Sequence, residues 1–141
     1  MKLVTRDTDY ALRALMAIIA NKNRVTSVRE LVRRLKMPRP FLRKLLQQLH
    51  HGGILKSYKG PAGGFALARE PGQIRLLDLI AIFQGPLRLN ECTFKKRPCP
   101  STPACPLRDE LCKIERDVFL KLSRISVGSL LPQFRKVRML L

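Results

Sequence analysis

The sequence is poor in acidic side chains. It has 10 Asp and Glu against 28 Lys and Arg, which gives a formal net charge of +18. Only Asp7, Asp9 and Glu30 are acidic in the first 69 residues, whereas five of the ten acids lie between Glu91 and Asp117. Such an excess of one sign repels itself unless the protein meets a polyanion. The charge therefore predicts a nucleic-acid partner, bound through the N-terminal half. A merely soluble basic surface explains this clustering less well.

Features of membrane and secreted proteins are missing. No apolar run approaches the roughly 18 residues that span a bilayer. Residues 1–9 lack the apolar core of a signal peptide. These absences predict a cytoplasmic protein without a membrane partner.

Motifs of catalysis are also missing. The chain has two histidines, His50 and His51, which are adjacent. The glycine-rich residues 60–64 are not followed by the Lys-Ser/Thr pair of a phosphate-binding loop. We therefore do not expect an enzyme.

The first 52 residues carry the signals of three helices. Apolar side chains repeat at the spacing of one helical face in three stretches, namely residues 8–20, 28–35 and 40–51. Ser27 and Glu30 have the spacing of a capping box at the start of the second helix. Pro38 ends that helix, and Pro40 lies in the first turn of the third. Two short helices joined by a tight turn, after a longer one, are typical of a helix-turn-helix domain.

A hairpin is predicted directly after the third helix. Residues 54–58 and 65–68 are short strand candidates, and the glycine-rich residues 59–64 form the turn between them. The predicted fold class is thus mainly α with a small β-hairpin wing. In this prediction a winged helix-turn-helix domain covers residues 1–72.

The second half is predicted to carry a dimerisation helix. A fourth helix runs over 76–83, and Pro106 opens a long helix over about 106–123. Its apolar residues, spaced by three or four, form a seam suited to a partner helix, with packing on its own domain as the alternative. We assign residues 73–131 to dimerisation and the cysteine loop. A short turn of helix is expected over 126–131, followed by a mobile basic tail over 132–141.

The candidate DNA-reading surface centres on the third helix. Arginine and lysine can donate to guanine edges in the major groove, and glutamine can pair with adenine. The candidates at the start of this helix are Pro38, Arg39, Phe41, Arg43 and Lys44. Phe41 is equally well explained as a core residue.

The remaining candidate contacts surround that helix. At the wing tip, Lys59 and Gly60 can approach the minor groove. Phosphate contacts are expected at the starts of the first two helices, from Lys2, Thr5, Arg6, Ser27 and Arg29.

Four cysteines lie between Cys92 and Cys112, which suggests metal or redox chemistry rather than structural disulfides in a reducing compartment. Cys92, Cys99 and Cys105 are separated by seven and six residues, unlike the Cys-x-x-Cys pair usual for structural zinc. Such loose spacing on a loop suits an iron–sulfur cluster. Thiol redox switching and inert cysteines remain as alternatives. Cys112, two helical turns after Cys105, is expected to be a buried apolar cysteine of the helix seam.

Four motifs in order resemble one family of bacterial regulators, the Rrf family of winged-helix repressors. They are Thr-Asp-Tyr-Ala-Leu-Arg at 8–13, Met-Pro-Arg-Pro-Phe-Leu at 37–42, Lys-Gly-Pro-Ala-Gly-Gly-Phe at 59–65, and the cysteine triad. The resemblance covers residues 1–131. It implies a homodimer with crossed C-terminal helices that binds double-stranded DNA, with half-sites about 34–36 Å apart.

The resemblance also implies an iron–sulfur cluster, held near the dimer interface by the three loop cysteines, that responds to redox state, nitric oxide or iron–sulfur status. In one branch a histidine three residues after the last cysteine is the fourth ligand, but this chain has Arg108 there. In another branch an aspartate at the position of Asp9, from the other subunit, completes the cluster. Because Asp9 is kept, a [4Fe-4S] cluster is favoured over [2Fe-2S]. Otherwise Asp9 is an ordinary acid near a helix N-terminus.

A cofactor-free regulator is the competing interpretation. It would have the same winged-helix fold and would be controlled by cysteine oxidation or by a protein partner.

Overall fold

The computed structural model describes residues 3–21, 25–89 and 105–138. This part of the chain forms six α-helices, an antiparallel two-stranded hairpin and a 3₁₀ turn. The helices are α1 (Arg6–Ile19), α2 (Val28–Leu35), α3 (Arg39–His51), α4 (Leu76–Gln84), α5 (Pro106–Ser123) and α6 (Val127–Arg138). The strands are β1 (Leu55–Tyr58) and β2 (Gly64–Leu67), and the 3₁₀ turn is Pro71–Gln73. None of the described helices is long and apolar enough to cross a membrane.

The predicted start of α2 is confirmed, but only half of the capping box forms. The Ser27 hydroxyl accepts the Glu30 N–H at 3.2 Å, which satisfies one of the donors that a helix start leaves free. The Glu30 carboxylate does not return to Ser27. It pairs with Arg34 at 2.7 Å and accepts from Asn21 at 3.2 Å. The Glu30 carboxylate is therefore engaged by Arg34 and Asn21 instead of closing the capping box.

The turn between α2 and α3 is tight, as predicted. Lys36 adopts the left-handed conformation (φ 52°, ψ 35°) and ends α2, with its N–H bonded to the Val32 carbonyl. Pro38 is the N-cap of α3, and Pro40 lies in the first turn, where no N–H is needed. This turn fixes how α3 is presented relative to α2.

One apolar core lies beneath α1, α2 and α3. The buried face of α3 consists of Leu42, Leu45, Leu46 and Leu49. Leu42, Leu46 and Leu49 belong to one buried cluster with fully buried side chains of α1 and α2, among them Leu15 and Leu31. Each leucine removed from water stabilises the fold by roughly 1.5–3 kcal/mol. The opposite face of α3 does not take part in this core and is exposed to solvent.

The wing is tied back to the start of α2. In the hairpin Leu55 pairs with Leu67 and Tyr58 with Gly64. Thr26 adds an antiparallel bridge to Phe65, in which each residue donates its N–H to the other's carbonyl at 2.9 Å. The wing and the N-terminus of α2 consequently form one unit.

The core continues across residue 72, the boundary expected between the two regions. Ile74, Leu79 and Val127 belong to the same buried cluster as α1 to α3. Two backbone bonds, from Leu76 N–H to the Ile125 carbonyl at 2.9 Å and from Val127 N–H to the Ile74 carbonyl at 2.8 Å, join the segment before α4 to the α5–α6 turn. The second half is thus anchored directly on the helix-turn-helix part.

The C-terminal end corrects the sequence prediction. A short helical turn and a mobile tail were expected, but α6 continues to Arg138 despite Pro132 inside it. Leu130, Leu131 and Phe134 pack against the core on either side of that proline. Tertiary packing of an apolar face offsets the hydrogen bond that proline removes.

Candidate nucleic-acid interface

The exposed face of α3 is cationic. Arg39, Arg43 and Lys44 are all exposed, on the side opposite the buried leucines. Within the described ranges none of these three cations takes part in an ion pair. Pro38, also exposed, opens this face at the N-cap. The face therefore presents donors that the fold itself does not use.

Two further residues of α3, Phe41 and Gln48, are only partly exposed. Phe41 is half-buried against the core, and its ring meets Tyr10 edge-on at a centroid distance of 5.6 Å. Gln48 is half-buried, and its Oε1 has no hydrogen-bond partner among the described residues. Phe41 thus joins α1 to the start of α3, and any contact with a thymine methyl would use only its outer edge.

The start of α1 lies beside this face through the same aromatic contact. Arg6 is exposed, and its guanidinium carbon lies 5.2 Å from the centre of the Tyr10 ring. Thr5 is the N-cap, and its N–H donates to Gln84 Oε1 at 2.8 Å. Lys2, the other candidate at this end, lies outside the described residues.

Thr5 has no spare donor. The Thr8 hydroxyl donates its one proton to Gln84 Oε1 at 2.6 Å, so the 3.2 Å contact between the two threonine hydroxyls must have Thr5 as donor. Both the N–H and the O–H of Thr5 are then used inside the chain. A phosphate contact by Thr5 would have to break one of these bonds, which leaves Arg6 as the available donor at this helix end.

The start of α2 and the wing tip flank α3. Arg29 is exposed in the first turn of α2, while the Ser27 hydroxyl already accepts the Glu30 N–H. At the wing tip Lys59 and Gly60 are exposed. Gly60 has a φ of +100°, a backbone conformation that residues other than glycine rarely adopt. The bridge between Thr26 and Phe65 holds these two sites in one unit.

Sequence reasoning missed two residues here. Tyr58 is 42% exposed at the end of β1, beside Lys59, and so adds an aromatic ring to the wing; its position directly before the predicted turn could have revealed it. Gln84 contacts Thr5 from 79 positions away in the sequence. No local pattern predicts such a contact.

Of the candidate cluster ligands, the described residues include Cys105 and Asp9. Cys105 is the N-cap of α5 and is partly exposed. A thiol at a helix N-terminus fits a thiolate ligand, because the helix dipole favours negative charge there. Asp9 is half-exposed and pairs with Arg13 at 2.9 Å. Cys92 and Cys99 lie outside the described residues.

The single chain does not bury Cys112 by itself, so its burial in a seam with a partner helix stays a prediction. Cys112 is exposed on α5 rather than buried. The seam to which it was assigned is itself largely uncovered, since Leu107 is 66% and Ile114 52% exposed. Arg108, at the position of the histidine ligand that the resemblance implied, is exposed as well.

Comparison with known proteins places this arrangement in a family. Residues 4–133 match the model of the Rrf2 family, which is described as an iron-dependent transcriptional regulator. The chain belongs to the Rrf2 family. The resemblance drawn from the four sequence motifs and the mainly α, winged-helix fold class are both confirmed.

Two relatives are similar to this chain in sequence. A protein of Aquifex aeolicus (strain VF5) that bears the name of an HTH-type transcriptional regulator is 39% identical over 90 residues. The match covers 64% of this chain and 62% of that protein, so it spans less than two thirds of the relative. Protein aau3 of Rhizobium meliloti (strain 1021) is 28% identical over 139 residues, 98% of this chain and 90% of that protein.

Solved structures of this family share the fold of the chain. CymR, the global cysteine regulator of B. subtilis, has a TM-score of 0.75 at 22% identity, over 94% of this chain and 98% of that one. T. potens IscR has a TM-score of 0.71 at 22% identity, over 97% and 90%. The oxidized form of Staphylococcus aureus CymR has a TM-score of 0.67 at 18% identity, over 93% and 96%.

Proposed function

We propose that this Rrf2-family chain is a dimeric repressor that reads duplex DNA and whose operator affinity is modulated by an iron–sulfur cluster. The observation that carries the DNA-binding part is the exposed cationic face of α3. Arg39, Arg43 and Lys44 stand on a helix whose other face is fixed in the core, and no described ion pair neutralises them.

In this proposal α3 enters the major groove from its N-terminal end. The planar fork of Arg43 can donate two hydrogen bonds to guanine O6 and N7, and Lys44 can donate to the same acceptors. Arg6 and Arg29 would contact phosphates on either side, which positions α3 without reading sequence. Lys59 would follow the wing to the minor groove.

The dimer in this proposal forms through α5. Four of its apolar residues, Leu107, Ile114, Phe119 and Leu120, are about half-exposed or more in the single chain. Leu107 and Ile114 lie seven residues apart, on one face of this 18-residue helix, and two large apolar side chains exposed on one face favour burial against a second copy. A two-fold pair would then present two α3 helices to half-sites about one helical turn apart.

The residues that would hold the cluster are Cys92, Cys99 and Cys105, with the partner's Asp9 as the fourth ligand of a [4Fe-4S] form. The iron dependence named for the family and the place of Cys105 at a helix N-terminus support this assignment. When bound, the cluster supplies one-electron redox chemistry and reactivity toward small oxidants. For Asp9 to serve, its carboxylate must leave Arg13, an exposed ion pair of the kind that contributes little stability.

A second candidate is a cofactor-free regulator that responds to cysteine oxidation. It is favoured by the fold shared with CymR, one structure of which is an oxidized form, and by the exposure of Cys112. In that case the thiols themselves are the sensor, and no iron is needed.

The DNA-binding proposal is tested by selecting duplexes from a random pool and measuring their affinity by fluorescence anisotropy. Arg43→Ala should weaken binding to the selected duplex by tenfold or more and reduce the preference over unrelated duplexes, because a bidentate base contact contributes about 1–3 kcal/mol of discrimination. Arg116→Ala, a loss of one exposed cation on α5, is the matched control and should leave the preference unchanged. Equal losses for the two variants would contradict the assignment of α3.

The cluster is tested by anaerobic purification with iron and sulfide analysis. About four irons per chain, lost in Cys99→Ala, would support the [4Fe-4S] assignment. No iron uptake on reconstitution, together with DNA affinity that an oxidant lowers and a thiol reductant restores, would favour the second candidate instead.

A further inference from the structure

Gln84 links the end of α4 to the start of α1. Its Oε1 accepts two hydrogen bonds, from the Thr5 N–H at 2.8 Å and from the Thr8 hydroxyl at 2.6 Å. Its Nε2 donates a longer bond to the Leu3 carbonyl at 3.4 Å. One side-chain amide therefore holds the whole first turn of α1.

The groups that donate to Gln84 Oε1 are shielded from water, so they depend on this acceptor. Thr8 is fully buried, so its hydroxyl needs a partner inside the chain. Thr5 is half-buried, and its N–H donates to Gln84 Oε1. Without Gln84 Oε1, a buried hydroxyl and an N-cap N–H would lose their acceptor, which costs more than the bonds themselves contribute.

From the first turn of α1 the contacts continue to the cationic face of α3. Arg6 lies over Tyr10, one helical turn further along α1, and Tyr10 meets Phe41 at the start of α3. The position of α1's first turn therefore bears both on the Arg6 guanidinium and on the end of α3 that carries Arg39.

Gln84 is also the last residue of α4. Gly85 follows it with a φ of +80° and ends the helix, and in the sequence Cys92 comes seven residues later. A shift of the α4 terminus cannot occur without moving or breaking the Gln84 bonds to α1.

We propose that Gln84 is a positioning residue for DNA binding: its amide fixes the first turn of α1, and with it Arg6, against the DNA backbone. It thereby ties the C-terminal end of α4 to the DNA-contacting surface. This inference rests on the proposed DNA-binding function. Gln84 itself does not touch DNA; it acts through Thr5, Thr8 and Arg6.

The experiment uses the metal-free chain of 141 residues and a selected duplex, with affinity measured by anisotropy over a range of salt. Gln84→Leu removes the acceptor and should weaken binding roughly fivefold, the value of about one lost hydrogen bond. The slope of log affinity against log salt should become shallower by about 0.9, since one phosphate contact is lost. Gln84→Glu keeps an acceptor oxygen for Thr5 and Thr8 but loses the donor to the Leu3 carbonyl, so its affinity should lie between those of the parent and Gln84→Leu.

A double-mutant cycle separates positioning from a general loss of stability. If Gln84 acts through Arg6, Arg6→Ala should cost clearly less affinity in the Gln84→Leu background than in the parent. All variants are compared well below their unfolding temperatures, where a purely structural defect leaves the affinity and salt slope unchanged. Gln84→Asn, one methylene shorter and still polar, is the milder variant should Gln84→Leu fail to fold, with the same predicted direction.

The outcomes are distinguishable. Additive losses, or an unchanged salt slope in the Gln84→Leu and Gln84→Asn chains, overturn this inference while leaving the proposed function in place. A parent chain that binds no duplex overturns the proposed function, and this inference with it.

Discussion

The close approach of the wing to the start of α2 gives a sharp prediction for Gly64→Ala. A Cβ added at Gly64 would lie 2.7 Å from the Thr26 carbonyl carbon and 2.9 Å from Ser27 Cα, and it would also strike the Thr26 carbonyl oxygen. All three are backbone atoms, so no side chain can rotate away. Gly64 is not among the described glycines with positive φ, and the effect is therefore one of space rather than of conformation.

The magnitude follows from what must move. The methyl group forces β2 away from Thr26, and the two 2.9 Å bonds between Thr26 and Phe65 lie at that point. Overpacking costs about 1–3 kcal/mol, and each of the two hydrogen bonds contributes about 1 kcal/mol. We expect Gly64→Ala to lower the free energy of unfolding by about 3 kcal/mol, a large part of the stability of an ordinary domain.

Urea unfolding followed by circular dichroism measures this change, with all chains at one concentration because association would add to the apparent stability. Gly72→Ala is the matched control: its Cβ would meet nothing within 4 Å, and its φ is not positive. It should change the free energy of unfolding by no more than about 0.5 kcal/mol. If Gly64→Ala is as harmless as Gly72→Ala, the wing is not anchored on α2 as described.

Three further predictions test the core, the α2 cap and the dimer. Leu46→Ala removes a fully buried side chain of α3 and should lower the free energy of unfolding by about 2–5 kcal/mol, measured by the same urea titration; a loss below about 1 kcal/mol would contradict its place in the core. Ser27→Ala removes the α2 cap and should cost about 1 kcal/mol, whereas Ser57→Ala, on the exposed part of β1, should cost almost nothing; equal costs would argue against the cap. Ile114→Glu places a charge on the face of α5 that exposes Leu107 and Ile114 and should shift a sedimenting dimer to monomer, while an unchanged sedimentation coefficient would place the interface elsewhere.

The helix-turn-helix and the wing could be predicted because their signals are local. Apolar spacing, Ser27 and the prolines around α3 act within a few residues, and the predicted strands differ from β1 and β2 by a single residue at their ends. The exposed cations of α3 followed from the same pattern, since a helix that buries four leucines must turn its arginines outward.

The features that the sequence did not predict depend on distant contacts. A mobile tail was expected after residue 131, but packing of Phe134 and its neighbours against the core extends α6 past Pro132 to Arg138. An apolar seam does not show which of its residues the single chain itself covers, so the sequence alone does not reveal that Cys112 is exposed there. Gln84 reaches α1 across most of the chain, and only the folded arrangement reveals that contact.

The salt dependence of binding to a selected duplex, measured with the purified parent chain with and without reconstituted cluster, tests the central claim most directly. If α3, the starts of α1 and α2, and the wing neutralise six to ten phosphates, affinity should fall by roughly 10³–10⁵ between about 50 and 200 mM salt. A folded chain that binds no duplex at the lowest salt, in either cluster state, would contradict DNA recognition by this surface.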